Sequence, residues 1–291
     1  MKVQPDKKEE PLVMAATSSV CPSCSQLFAG KFCSACGEKL LSTHDLTIRH
    51  FIEESIEGFT HFDNKFLRSL KLLLFKPGAL TNCFEQGRKV PFMKPVQLFI
   101  ISNILFFLSA GGVNLFTSSF ENVGKEGLAL NFIYQHLGKQ VDFSRLAILY
   151  NEKIVSQSKA FIVLFIPFIA MACAVLFMRK KRFFTLHLVF ATHFFAFLLL
   201  LFTFFHFFVE VPNQYFFHLT HNQFETVAIL LNMSLLMVYF YLASRRFYKA
   251  KPVWALIASL IIGVFFLFLL KGYRLLLFLK IIYSLTNASS L

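Results

Sequence analysis

The stretch AFIVLFIPFIAMACAVLFM, from Ala160 to Met178, runs for 19 residues without a charged side chain. At roughly 1.5 Å of rise per residue, an α-helix of about 20 residues crosses a hydrocarbon core of roughly 30 Å, and a soluble core helix seldom needs such a run. Four more charge-free stretches behave alike. Together they predict spans at Pro95–Phe116, Ala160–Met178, Phe184–Val209, Thr226–Ala243 and Pro252–Leu270. Lipid-embedded backbone must satisfy its own hydrogen bonds, and these runs do not alternate as barrel strands do, so all five are expected to be helices. Pro167 lacks an amide donor and crowds the preceding turn, so a bend is expected within the second span.

The rest of the chain fits a membrane protein. Hydrophobic residues make up 56% of its 291 positions, 40 of which are Phe, and mean hydropathy is +0.60. Phe is compatible with lipid, so this abundance reads as bilayer-facing surface. The formal charge is +13, from 29 Lys and Arg against 16 Asp and Glu. These cations cluster beside the apolar runs, which points to the bilayer and anionic lipid headgroups as partners and away from nucleic acid. Residues 1–20 lack the pattern of a cleaved signal and read as a disordered tail.

Short connections set the orientation. Arg179, Lys180, Lys181 and Arg182 join spans two and three, and Arg245, Arg246, Lys249 and Lys251 join spans four and five, whereas Val211–Gln223 holds neither Lys nor Arg. By the positive-inside rule both basic connections are cytoplasmic. The N-terminus then lies in the cytoplasm, in keeping with Arg88, Lys89 and Lys94 before span one, and Glu121–Lys159 forms an outer loop. Residues 271–291 are too apolar for a free tail and too short to span, which leaves an interfacial helix or an extension of span five.

Cys21, Cys24, Cys33 and Cys36 form two Cys-x-x-Cys pairs separated by eight residues. Each pair can turn two sulfurs toward one ion, and two pairs complete a closed tetrahedral four-thiolate site. Gly37 suits the tight turn, where positive φ is common. A cytoplasmic location favours reduced thiols, hence structural zinc in a ribbon over residues 21–40, over the rival readings of disulfides or a redox pair. Cys83 and Cys173 read as ordinary buried residues.

Residues 41–94 form an amphipathic linker at the inner membrane face. Ile48, Phe51, Ile52, Ile56 and Phe59 recur at helical spacing from Thr47 to Phe62. Asp63 is an expected N-cap for a second helix reaching Phe75, which Pro77 and Gly78 end, and a third short helix, about Ala79–Gln86, would stop at Gly87. Such a collar either covers the membrane surface or docks a protein partner or headgroup.

The pattern Cys21-x-x-Cys24, Cys33-x-x-Cys36-Gly37, Leu46-Thr47, Glu54, Phe62-Asp63, Lys65-Phe66-Leu67, Pro77-Gly78, Gly87-Arg88 and Pro95 resembles the uncharacterised bacterial membrane family known as domain of unknown function 3667. Two departures are Pro91-Phe92, where the family tends to have Tyr, and Glu38, where Gln is frequent. The resemblance implies a cytoplasmic ribbon, a helical linker and a multi-span domain at 95–270 in the bacterial inner membrane, and it supplies no activity.

His187, His193 and His206 fall on three different faces of span three, so they form no single ligand stripe. His206, Glu210, His218, His221 and Glu225 gather near its outer end, with His206 and Glu210 one helical turn apart. Phosphate loops, nucleophile elbows and HExxH motifs are missing from any setting that would support them. The expectation is therefore an all-α integral membrane protein that acts in interaction or assembly rather than catalysis. The alternatives are a transporter or channel, or a membrane enzyme using the outer His and Glu residues on a lipid-linked substrate.

Overall fold

A computed structural model describes residues 19–42, 44–49, 51, 65–109, 116–117, 119–120, 127–137, 142–180, 182–213 and 221–287. A two-stranded antiparallel ribbon pairs β1 (Ser19–Val20) with β2 (Leu27–Phe28), with Ser19 opposite Phe28 and Val20 opposite Leu27. Helices follow: α1 (Lys65–Phe75), α2 (Ala79–Glu85), α3 (Pro95–Ser109), α4 (Gly127–Leu137), α5 (Phe143–Phe161), α6 (Phe165–Leu176), α7 (Phe184–Phe205), α8 (His221–Phe247) and α9 (Pro252–Asn287). The class is all-α and membrane-like, with a small N-terminal cysteine-bearing ribbon.

The span count differs from the expected five. Among the described residues, three helices are long and apolar enough to cross a membrane: Phe184–Glu210, Val227–Phe247 and Pro252–Leu285. A fourth crossing arises if the pair Phe143–Ser158 and Ile162–Leu176, bent by 53°, is one broken span. Helix α3 has 15 residues, about 22 Å at 1.5 Å per residue. That is short of a hydrocarbon core, and residues 110–115, which the expected first span requires, lie outside the described ones. The second span is shifted as well. The bend falls at the break between Ser158 and Ile162, ahead of Pro167. Pro167 instead sits in the first turn of α6, where its missing amide forfeits no helical hydrogen bond.

Helix α7 is the centre of the bundle. In its most apolar window 67% is buried, against 39% in α8 and in α9, and it packs on α3 and α6. An all-round apolar helix needs this enclosure. Many of the Phe residues read as lipid-facing turn inward instead: Phe116, Phe190, Phe194, Phe195, Phe240 and Phe266 are fully buried. Phe106 and Phe116 meet edge to face at 5.5 Å, and Phe165 lies 5.3 Å from Phe195. Offset ring pairs of this kind each add about 0.5–1.5 kcal/mol beyond their burial.

The segment expected to form an outer loop carries α4 and α5. Asp142 caps α5, accepting from the amides of Ser144 and Arg145. Both helices pack on α9, which continues unbroken past Lys271 for 36 residues in all. Tyr273 donates to the Ser158 carbonyl at 2.6 Å, and Lys153 Nζ reaches Ser284 Oγ at 3.1 Å.

At the other end the two basic connections meet. Lys180 Nζ lies 3.4 Å from the Lys249 carbonyl, and Arg182 Nη2 donates to the Phe247 carbonyl at 2.9 Å. Helices α1 and α2 are fastened there too, through Tyr239 to the Leu73 carbonyl and Arg246 to the Pro77 carbonyl. Gly78 adopts φ 78° and lies against the backbone of Ala243. Helix α2 ends as expected at Gly87, whose φ is 77°, and the Arg88 amide closes back on the Cys83 carbonyl. The expected helix from Thr47 to Phe62 and its successor's cap at Asp63 fall largely outside the described residues.

Candidate metal centre

Two knuckles twelve residues apart repeat the same backbone. The Cys21 amide donates to the Gln26 carbonyl and the Ser25 amide to the Cys21 carbonyl; the Cys33 amide donates to the Glu38 carbonyl and the Gly37 amide to the Cys33 carbonyl. The fourth residue after each leading cysteine is left-handed, Gly37 at φ 72° and Ser25 at φ 64°. Gly37 matches its sequence expectation, whereas Ser25 takes the same shape at a cost glycine avoids.

This repeat brings all four sulfurs within 4.8 Å of one another, a cluster that can hold a metal ion. The contacts cross between knuckles: Cys21 Sγ to Cys36 Sγ is 3.5 Å and Cys24 Sγ to Cys33 Sγ is 3.6 Å. A tetrahedron with metal–sulfur bonds of about 2.3 Å has edges of about 3.8 Å, so the donor set fits. The cysteines are free thiols, and these separations far exceed a disulfide bond of about 2.05 Å.

The thiols influence one another strongly. Burial raises Cys21, but the amides of Cys24 and Ser23 and the adjoining sulfurs bring it to about 7. The Glu38 amide lowers Cys36, yet burial and the three neighbouring thiols push it up to about 12. Four thiolates so close repel, and a bound cation removes that penalty.

Glu38 fixes the ribbon to the helices. Its side chain is buried, and Oε2 accepts from Ser23 Oγ at 2.5 Å, the Lys89 amide at 3.0 Å and the Val90 amide at 2.9 Å. Gly87 faces Leu41 and Pro22, so a side chain there would press on the ribbon. Just beyond it, buried Asp45 pairs with Lys39 at 2.5 Å and accepts from the Ser42 amide and hydroxyl at 2.8 and 2.9 Å. Burial opposes ionisation, but these donors hold its carboxyl well below the usual carboxylate range. Sequence reasoning noted Glu38 only as a departure from a family pattern, although a carboxylate directly after a knuckle is poised to receive amides from a neighbouring turn.

The histidines separate as expected. His187 Nδ1 meets the Tyr248 hydroxyl at 2.9 Å, and His193 Nδ1 meets Thr81 Oγ1 at 2.9 Å. His206 Nδ1 lies 3.0 Å from Glu210 Oε2. Residue 218 and the side chains of His221 and Glu225 lie outside the described ones, so that outer group is not assembled here.

The helices beside the ribbon carry a partial match to a family model. Residues 63–107 match the model described as Protein of unknown function (DUF3667). This DUF3667 segment runs through α1 and α2 into α3, and it is the part that grips both neighbours: Lys89 and Val90 hold Glu38, while Thr81 and Asn82 reach α7 and the end of α8. No curated protein and no solved structure matches the chain.

Proposed function

We propose that this chain is a non-enzymatic multi-pass protein of the bacterial inner membrane, with its basic end and ribbon in the cytoplasm, where a structural zinc ion stiffens the ribbon as a surface for assembly with a protein partner. The clustering of four sulfurs within 4.8 Å carries this reading. Four thiolates fill a tetrahedral shell and leave no position for substrate, which suits a structural ion. Free thiols suit a reducing compartment. The surface role is supported by Val20, Leu27 and Phe32, which are 62%, 65% and 59% exposed on a unit otherwise latched in place.

Metal analysis of the full chain, purified under reducing conditions, tests the centre. One zinc per chain is expected. Replacing Cys33 and Cys36 by Ser should remove it while the apolar helices still insert. Absence of zinc, or oxidation of Cys21 and Cys24 in cells, overturns the assignment. A photo-crosslinking side chain at Phe32 should join one defined protein in membranes, and loss of that adduct in the Cys33→Ser/Cys36→Ser variant is expected.

A further inference from the structure

The basic end holds a cleft of about 380 Å³ where the linker, α2, the α6–α7 connection and the α8–α9 connection converge. Among the described residues three cations line it, Lys180, Arg182 and Lys249, against a single carboxylate, Glu85. Glu85 is already paired with Arg182, and Arg182 is further held by the Phe247 carbonyl and lies 4.3 Å over the Phe247 ring. The two lysines thus add positive charge that no carboxylate among the described lining residues offsets. The wall also includes Phe183 and Leu186 at the start of α7, a helix whose N-cap Phe183 offers its first amides no side-chain acceptor. These amides add partial positive charge to the same side.

Lys249 stands at φ 49°, a left-handed conformation that glycine would take without strain. A lysine kept in such a position, facing a cleft, favours a task for its ammonium. The depth of the cleft narrows the ligand. Phe184 and Pro252 begin the apolar helices at this level, and Phe183, Val253 and Trp254 remain 52%, 71% and 44% exposed beside it. Apolar and aromatic side chains bordering cations mark the headgroup layer of a bilayer.

We infer that this cleft binds one phosphate group, presented by an anionic phospholipid headgroup or as free phosphate, with Lys180 and Lys249 as its direct cationic partners and Arg182 as a positioned neighbour.

The full chain in nanodiscs of phosphatidylcholine containing phosphatidylglycerol provides the test, with retained lipid counted by native mass spectrometry. One phosphatidylglycerol per chain should be retained in preference to phosphatidylcholine. Lys180→Ala and Lys249→Gly should each weaken that retention about tenfold, the usual scale for one charge-assisted contact. Lys249→Gly should fold at least as well as the parent, because it relieves the positive φ, so its loss of lipid cannot be ascribed to unfolding. Lys271→Ala, on the far half of α9, should bind like the parent. Inorganic phosphate that binds with the same lysine dependence and displaces the lipid identifies free phosphate as a ligand; lysine-dependent lipid retention untouched by inorganic phosphate identifies the headgroup. Equal retention of both lipids together with no phosphate binding, or unchanged binding in both lysine variants, overturns the inference.

Discussion

Glu38 Oε2 accepts the Val90 amide at 2.9 Å, joining the second cysteine knuckle to the turn after α2. The same oxygen serves Lys89 and Ser23. Glu38→Ala should therefore remove an acceptor shared by three donors, of which the Lys89 amide keeps the Gly87 carbonyl, costing about 1.5–3 kcal/mol locally for loss of a charged acceptor. Hydrogen exchange would show a faster amide at Val90, and a smaller change at Lys89, with α7 unaffected. Glu38→Gln retains an oxygen acceptor and should have a smaller effect. Unaltered protection in Glu38→Ala would remove the latch from the account.

Asp45 gives a pH dependence with a definite sign. Its carboxyl lies well below the usual range when folded, so the unfolded chain binds the proton more readily, and the contact is fully stabilising above about pH 4. As pH falls below that value toward the folded carboxyl's own, the contribution is lost. Asp45→Asn should weaken the attachment of the linker at neutral pH and flatten this acid limb. Limited proteolysis after Leu46, followed against pH in both chains, measures it; identical acid profiles would contradict the assignment.

Two glycines should respond in opposite directions to alanine. At Gly78 a methyl group would come within 2.6 Å of the Ala243 carbonyl oxygen in a residue at φ 78°, and backbone cannot yield cheaply. A loss of about 1–3 kcal/mol is expected. Gly272 lies inside α9 with nothing within 4 Å of an added methyl, so Gly272→Ala should stabilise by about 0.5–1 kcal/mol. Thermal unfolding in detergent compares the two, and a stabilised Gly78→Ala would refute the close approach of α2 to α8.

The basic end should face the cytoplasm. A reporter active only outside the cytoplasm should work when fused within Val211–Gln223 and stay silent after Arg182 or Lys251, following the loop charges. Because Arg182 and Lys249 line one cleft, the two silent positions must agree with each other. Activity at both basic connections would reverse the orientation.

The parts that were legible in the sequence are those governed by local chemistry. The Cys-x-x-Cys pairs, the positive φ of Gly37, the arrest of α2 at Gly87 and the apolar run from Phe184 each express a rule that needs only neighbouring residues. Errors came where partners distant in sequence decide. Phe190 and Phe195 could not be told from lipid-facing rings, since Leu, Phe and lipid tails are alike in polarity and only packing around α7 encloses them. Pro167 looked like the origin of a bend, yet the break precedes it and the ring occupies a first turn. The cluster of Lys180, Arg182 and Lys249 was visible as charge but not as a cleft, because Leu46 and Glu85 complete it from more than 90 positions upstream of Lys180.

The length of α9 imposes an order on synthesis. Pro252–Asn287 extends about 54 Å at 1.5 Å per residue, and its second half is what α4 and α5 rest on, through Phe278 with Phe132 of α4 and through Tyr273 with Ser158 and Ser284 with Lys153 of α5. Those earlier helices leave the ribosome more than 100 residues before their support does, since Tyr273 follows Ser158 by 115 positions. The ribbon and α1–α3 can settle early, while the far face of the protein stays open until α9 has been translated and placed. Premature termination within α9 ahead of Tyr273 would thus release a molecule whose ribbon end is built and whose opposite end has nothing to close on.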